Sequence, residues 1–176
     1  MPPADTLTTL ALDALKAATG RLLRGGSSAA WLRGMQAALV KAHTAAFMAG
    51  QAERLGVSVS TLKGLSRAER DDIKRQVAVQ IDYLRGFAGA LDGLSDAQIA
   101  ARAAMYAGAV RTTYSRARHP RLPFYPGEGS ECLSQCRCSW QDNGDDSYTW
   151  VMGAAEHCAT CQSRAGGSPY RAESRS

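Results

Sequence analysis

All five cysteines of this sequence fall between Cys132 and Cys161, arranged as Cys132-x3-Cys136-x-Cys138 and, after a spacer, His157-Cys158-x2-Cys161. Thiolates are soft metal ligands. Two thiol clusters separated by about twenty residues resemble the two halves of a tetrahedral site, most often one for zinc. A closed set of four cysteines, or of three cysteines and a histidine, contributes directly to folding free energy. Cys158-x2-Cys161 has the ordinary knuckle spacing and is the firmest ligand pair. The first half offers Cys132, Cys136 and Cys138 for two places. The reading leans to Cys132 with Cys136 or Cys138, and His157 is a reserve ligand. Disulfides formed in an oxidising medium, or unliganded thiols, are the two other fates open to the same residues.

Catalytic chemistry finds fewer of its parts. A zinc nucleobase deaminase needs His-x-Glu and Pro-Cys-x2-Cys, whereas Cys158 follows His157 and no His-x-Glu occurs. Glu156 beside the second cluster is placed like a general acid, but a four-thiolate site leaves no open coordination position. A nucleophilic pair of His157 with a neighbouring thiol is set against metal binding by the crowd of other cysteines. No P-loop, GxGxxG or GxSxG is present. Asp71-Asp72 reads as the first turn of a helix and Asp145-Asp146 as a loop tip. His43 reads as a partly buried helix histidine, since no acid or nucleophile sits at helical spacing from it. The sequence is therefore expected not to encode an enzyme.

The elements that must position the cysteines are mostly helical, because the chain is alanine-rich with few β-branched residues. A first helix is expected over residues 5–24, stopped by Gly25-Gly26, with Pro2-Pro3 as a loose arm. A second runs from Ser27 or Ser28 to about Arg54, with a stripe of Trp31, Met35, Leu39, Ala42 and Ala46. Ser66-x2-Glu69 is a capping box for a third helix reaching about Leu94. Its two stripes, one through Ile73, Val77, Ile81 and Leu84 and one through Val79, Tyr83 and Phe87, make it the expected centre of a bundle. Gly86, Gly89 and Gly93 would then mark close approach by a neighbour, or a break near Gly86. Ser95-x2-Gln98 is a second capping box, for a helix through Ile99, Ala103, Tyr106, Val110 and Tyr114 to Ala117.

At Leu122 the composition changes to a proline- and glycine-punctuated linker. Cys138 to Gln141 and Tyr148 to Met152 then alternate like paired strands around a turn-rich Asp142–Ser147. The expected organisation is a helical bundle over 1–121, a linker over 122–131, a cysteine-rich module over 132–165 and a flexible tail over 166–176. The fold class is thus mostly α, a bundle of about four helices followed by a small zinc-stapled β-hairpin module. With few large apolar residues, that module is expected to need the metal in place of a core.

The 176 residues carry 21 Lys/Arg against 16 Asp/Glu, a net charge of +5. Residues 1–126 hold 17 basic and 9 acidic groups, a net of +8; residues 127–176 hold 4 and 7, a net of −3. The densest basic patch contains Arg111, Arg116, Arg118, His119 and Arg121. Cations at a helix C-terminus complement its dipole, but this number exceeds what a cap needs. Arg111, Arg116, Arg118 and Arg121 are candidates for contact with nucleic acid or an acidic partner. No apolar run is long enough to span a bilayer, and no secretory signal is evident at the N-terminus. The cysteines are accordingly expected to stay reduced, and no membrane partner is expected.

Three motifs carry a family resemblance. Leu122-Pro123-x-Tyr125-Pro126-Gly127-x-Gly129, Cys132-Leu133-x2-Cys136-Arg137-Cys138-x-Trp140 and Trp150-x4-Ala155-Glu156-His157-Cys158-x2-Cys161 resemble the C-terminal part of phage minor head, or head-morphogenesis, proteins related to the Mu F family. The resemblance spans roughly residues 95–165; the second cluster, from His157 to Cys161, lies outside the family's diagnostic pattern. It implies a virion or prohead component present in low copy or near the portal, made in the host cytoplasm and acting in head assembly or packaged-DNA handling. Portal or capsid proteins, packaged DNA and a symmetric oligomeric assembly are the implied partners. A zinc-containing prophage protein that binds nucleic acid or regulates is the alternative from another class.

Overall fold

The computed structural model describes residues 3–131, 136–154 and 156–173. The protein is mostly helical, with a small antiparallel sheet near its C-terminus. Helix α1 spans Pro3–Leu23 and ends where Gly25 takes a left-handed φ of 89°. Helix α2 spans Ser28–Leu55. The Ser27 side chain accepts from the Ala30 amide at its start, and Gly56 closes it in the left-handed conformation, with Val57 donating to the Ala52 carbonyl.

Helix α3, Arg67–Ala88, begins with the expected capping box. The Ser66 amide donates to Glu69 at 2.7 Å and the Glu69 amide donates to Ser66 Oγ at 3.2 Å. A second box, Ser95 with Gln98, opens α4, Asp96–Gly108. The fourth expected helix is broken at Ala109, where Ala109 and Thr112 make i→i−3 bonds to Tyr106 and Ala109 before α5 runs over Val110–Arg118. Ala107 continues the stripe of Ile99 and Ala103 and is buried where Tyr106 was expected, while Val110 and Tyr114 are inside as expected.

The helical core differs from expectation in its centre. Helix α2, not α3, is the hub, packing on α1, α3 and α5. On α3 only the Ile73, Val77, Ile81 and Leu84 stripe is buried; Val79 and Tyr83 are 58% and 66% exposed. The glycines of the third helix mark no crossing either. A side chain added at Gly86 or Gly93 would meet nothing within 4 Å, and α3 simply stops at Ala88. The close approach is at Gly50 of α2, where a Cβ would overlap the Tyr114 carbonyl oxygen of α5 and lie 3.1 Å from Ala117 Cβ. On α2, His43 rather than Ala42 occupies the buried stripe, at 1% exposure.

A second, aromatic core lies beyond α5. Strand β1, Ser139–Gly144, pairs antiparallel with β2, Ser147–Val151, with Trp140 directly opposite Trp150. Asp145 and Asp146 both adopt positive φ, as a two-residue I′-type hairpin turn requires. Helix α6, Ala159–Gly166, follows, and β3, Tyr170–Arg171, adds to the outer edge of β2. The expected hairpin is thus present, and β3 extends it to a three-stranded sheet. The described part of the segment expected to trail off, residues 166–173, is docked through Glu173, whose amide donates to the Arg121 carbonyl at 3.0 Å.

The linker also differs from a spacer. Leu122 and Tyr125 are buried, and the Tyr125 hydroxyl donates to the His119 carbonyl at 2.8 Å. The Phe124 ring sits 5.1–5.3 Å from those of Trp140, Trp150 and Tyr170. The contacts with Trp150 and Tyr170 are edge-to-face and that with Trp140 is tilted; aromatic pairs of this kind are worth about 0.5–1.5 kcal/mol each beyond burial. The module thus has a core of its own, which corrects the expectation that only a metal could hold it.

Candidate metal centre

The site is assembled from two segments that flank the sheet. Cys136 and Cys138 enter β1, and Cys161 lies in the first turn of α6. All three are buried, and their sulfurs lie within 4.8 Å of one another. The Cys136 and Cys161 sulfurs are 3.8 Å apart. That matches the edge of a thiolate tetrahedron around zinc, about 3.8 Å for Zn–S bonds of about 2.3 Å. The backbone has been shaped for this approach: a Cβ at Gly153, just after β2, would collide with the Arg137 carbonyl, so only glycine lets that segment pass.

The electrostatics suit a cation. Burial pushes the Cys138 thiol up, with Cys136 adding to the shift, while the Gly153 backbone amide favours its thiolate. Cys161 is pushed up furthest, by burial and then by the neighbouring Cys158 and Cys138 side chains. Without a counter-charge, crowded thiols resist ionising; a divalent ion reverses that logic by stabilising all of them together. The donor set of buried cysteines fits a soft or borderline metal such as zinc.

The other expected ligands fall as follows. Cys158 is the N-cap residue of α6 and half-buried, and it stands outside the group of three cysteines whose sulfurs lie within 4.8 Å of one another. His157 Nδ1 lies 3.8 Å from Cys138 Sγ. Cys132 lies outside the described residues. Among the described residues the structure brings Cys136 and Cys138 together with Cys161.

The four candidate arginines each face a carboxylate of this same chain. Arg111 pairs with Asp5 of α1. Arg116 reaches Glu128 at 2.7 Å and stacks its guanidinium over the Tyr125 ring at 5.3 Å. Arg118 meets Glu53 at 2.8 Å, and Arg121 meets Asp146 at 3.2 Å. Sequence reasoning did not foresee these acidic partners, because they lie as far away as Asp5 and carry no local signal. The arginines tie α5 to α1, α2, the linker and the hairpin tip. A cleft of about 400 Å³ runs along this seam, between Asp5, Glu53, Arg111, Arg118 and Arg137 and the edge of Cys138.

His43 is held in a buried polar network, with Nδ1 2.6 Å from Thr113 Oγ1 and Nε2 3.0 Å from the Gln80 amide nitrogen. Its surroundings are a hydroxyl and two carboxamides, with neither an acid nor a nucleophile activated by it. No helix among the described residues is long and apolar enough to cross a membrane. Comparison with family models, with curated proteins and with solved structures finds no match.

Proposed function

We propose that this chain is a structural phage virion protein, a minor head or portal- or capsid-associated component acting in head assembly or packaged-DNA handling, with a structural zinc in its C-terminal module. The observation that carries the reading is a coincidence of two sets of residues. The buried residues of the second core are Leu122, Tyr125, Cys136, Cys138, Trp140, Trp150 and Cys161, and all but Cys161, which belongs to the second cluster outside the family's diagnostic pattern, carry the resemblance to the head-morphogenesis proteins. In this chain those motifs are a packing and ligation signature. A motif spent on a buried core and a thiol cluster favours a scaffold over a catalyst. In this role the module presents a rigid surface to portal or capsid neighbours, and the metal fixes its geometry.

The test follows the protein through assembly. Co-purification with DNA-filled particles from infected or induced cells supports the virion role. Tight, salt-sensitive binding of the free protein to DNA, with no particle association, refutes it in favour of a prophage nucleic-acid-binding or regulatory protein. For the metal, elemental analysis of purified protein should find about one zinc per chain, and Cys161→Ser should release it. A metal-free protein whose module still resists protease would refute the zinc.

A further inference from the structure

A second cleft, of about 420 Å³, shares Arg118 and His119 with the one along the seam but none of its carboxylates. Arg54 from the last turn of α2, Arg118 from the end of α5 and Arg121 from the segment beyond it border this space, together with Tyr148 of β2. No acidic side chain lines it. We propose that this cleft is a binding site for a phosphate group, held by the guanidiniums of Arg54, Arg118 and Arg121. The site depends on neither the metal centre nor the virion role.

The first argument is that the three guanidiniums are already anchored. Arg54 donates from Nε to the Ala117 carbonyl at 3.1 Å. Arg118 is held by Glu53 at 2.8 Å, and Arg121 by Asp146 at 3.2 Å. Each contact uses only part of a guanidinium, whose N–H donors fan out in a rigid fork. Side chains fixed on one edge lose little further freedom when the other edge takes a ligand.

The second argument is charge. Three cations border the cleft, and the carboxylates that answer them, Glu53 and Asp146, answer two. Arg54 takes part in no ion pair among the described residues. One positive charge is left over in a concave site, where the field of a charged lining is focused. Both α2 and α5 turn their C-termini this way, and the negative end of a helix dipole opposes an anion. The carbonyls concerned are in use, however: Ala117 accepts from Arg54 and Ser115 from the His119 amide.

The third argument is shape. A carboxylate offers two oxygens in one plane, which a single guanidinium fork satisfies. Three forks reaching one space from three segments suit a group that presents oxygens in several directions, as a tetrahedral phosphate does.

His119 reports on the cleft without having to bind the ligand. It is 9% exposed, its Nε2 has no hydrogen-bond partner among the described residues, and its ring packs edge-on against Tyr148 at 5.3 Å. The charges around it are Arg118 beside it, Glu53 of α2 and Asp142 of β1, with Arg54 and Arg121 in the same cleft lining. Burial, and then Arg118, lowers its pKa to about 4, so the ring is neutral at pH 7. An anion among the arginines gives the imidazolium a counter-charge and raises that pKa.

Proton NMR of the full chain, followed as inorganic phosphate is added at constant ionic strength, tests the site. The chain has three histidines, and His119→Gln assigns the signal. Phosphate should shift the His119 resonance saturably, raise its titration midpoint and leave that of His43 where it is. Arg54→Gln should weaken phosphate binding by about tenfold or more, the loss expected for a charge-assisted hydrogen bond. Because Arg54 also holds the Ala117 carbonyl, Arg54→Lys is the control: with its melting midpoint unchanged it should bind phosphate less tightly than wild type, since it keeps the charge but not the fork. A duplex oligonucleotide separates two sources of the group. It displaces phosphate and shifts His119 if the group belongs to a nucleic-acid backbone, and leaves His119 unmoved if the ligand is a small phosphate compound; either result upholds the site. Absence of a saturable shift in the wild-type chain, equal phosphate affinity in wild type and Arg54→Gln, or acetate binding as tightly as phosphate would each overturn it.

Discussion

His43 of α2 and Thr113 of α5 meet at 2.6 Å across the buried seam between their helices. The Thr113 hydroxyl donates to Gln76 Oε1 at 2.8 Å, so its oxygen accepts from His43 Nδ1–H, and the Gln80 amide donates to His43 Nε2. This assignment makes the ring neutral; the ring itself meets a hydroxyl and a carboxamide, and the Asp72 carboxylate joins the network only through the Gln76 amide. The pair joins the hub helix α2 to α5, and Gln76 and Gln80 tie it to α3.

That geometry sets a pH dependence. Burial lowers the His43 pKa from 6.5 to about 4, against a smaller opposing effect from Gln80. Below pH 6.5 the unfolded chain takes up a proton that the native ring resists. Stability is therefore fully present above about pH 6.5 and is lost as pH falls toward 4, by at most about 3 kcal/mol at 1.36 kcal/mol per pKa unit. His119, also lowered to about 4 by burial and then by Arg118, acts in the same direction. Urea unfolding at pH 7 and pH 4.5 should give a large difference in wild type and a smaller one in His43→Gln. Equal pH dependence in the two proteins would show that His43 is not the group responsible.

Gly50→Ala and Gly86→Ala should move stability in opposite directions, although both substitute a helical glycine. At Gly50 the new methyl overlaps the Tyr114 carbonyl, so α2 and α5 must part; overpacking of this kind costs about 1–3 kcal/mol. At Gly86 the methyl meets open space near the end of α3, and the gain in helix propensity is up to about 0.5–1 kcal/mol. Thermal melts of the two variants check the sign. A neutral Gly50→Ala would mean that the crossing has room to spare.

How much of this was legible in the sequence depends on the range of the interaction. The capping boxes at Ser66 and Ser95 are complete within four residues, and both are found as read. The type and clustering of Cys132, Cys136, Cys138, Cys158 and Cys161 pointed to ligation, but that the sulfurs of Cys136, Cys138 and Cys161 meet depends on how β1 and α6 flank the sheet. The hub was misplaced because α3 carries two apolar stripes, and nothing in the stripes says that Val79 and Tyr83 are left uncovered. Strand β3 is two residues long and exists through pairing with β2, so no local pattern announces it. The carboxylates that meet the arginines come from Asp5, Glu53, Glu128 and Asp146, separations at which only the fold brings charges together.

Phe124→Ala should destabilise the C-terminal module, although Phe124 lies in a segment that reads as a linker. The ring packs against Trp140, Trp150 and Tyr170, and the Arg164 guanidinium lies 4.1 Å from its centroid. Its partial exposure puts the loss below that of a fully buried phenylalanine, at about 1–3 kcal/mol. Near-ultraviolet circular dichroism and tryptophan fluorescence report on Trp140 and Trp150 directly. An unchanged tryptophan spectrum and an unchanged unfolding midpoint would return residues 122–131 to the role of a spacer.

Neutralising Arg118 separates the two readings of the basic patch. Its guanidinium meets Glu53 Oε1 at 2.8 Å, and the same carboxylate accepts from the Tyr114 hydroxyl through Oε2. Burial, and then the Glu53 hydrogen bond, pushes the Tyr114 hydroxyl up, so it stays protonated as the donor. Arg118→Gln leaves Glu53 with half its compensation. Because the pair is more than a third exposed, the cost should be only about 0.5–1 kcal/mol. Adding Arg116→Gln removes the Glu128 contact and the stacking on Tyr125, and the two losses should add if the contacts act independently. If the arginines serve the seam, the double variant loses stability while any affinity for DNA keeps its salt slope. If they contact phosphate, the salt slope flattens by about one per cation removed. Measuring unfolding and DNA titration on the same double variant decides between them, and a flattened slope with unchanged stability would refute the seam role.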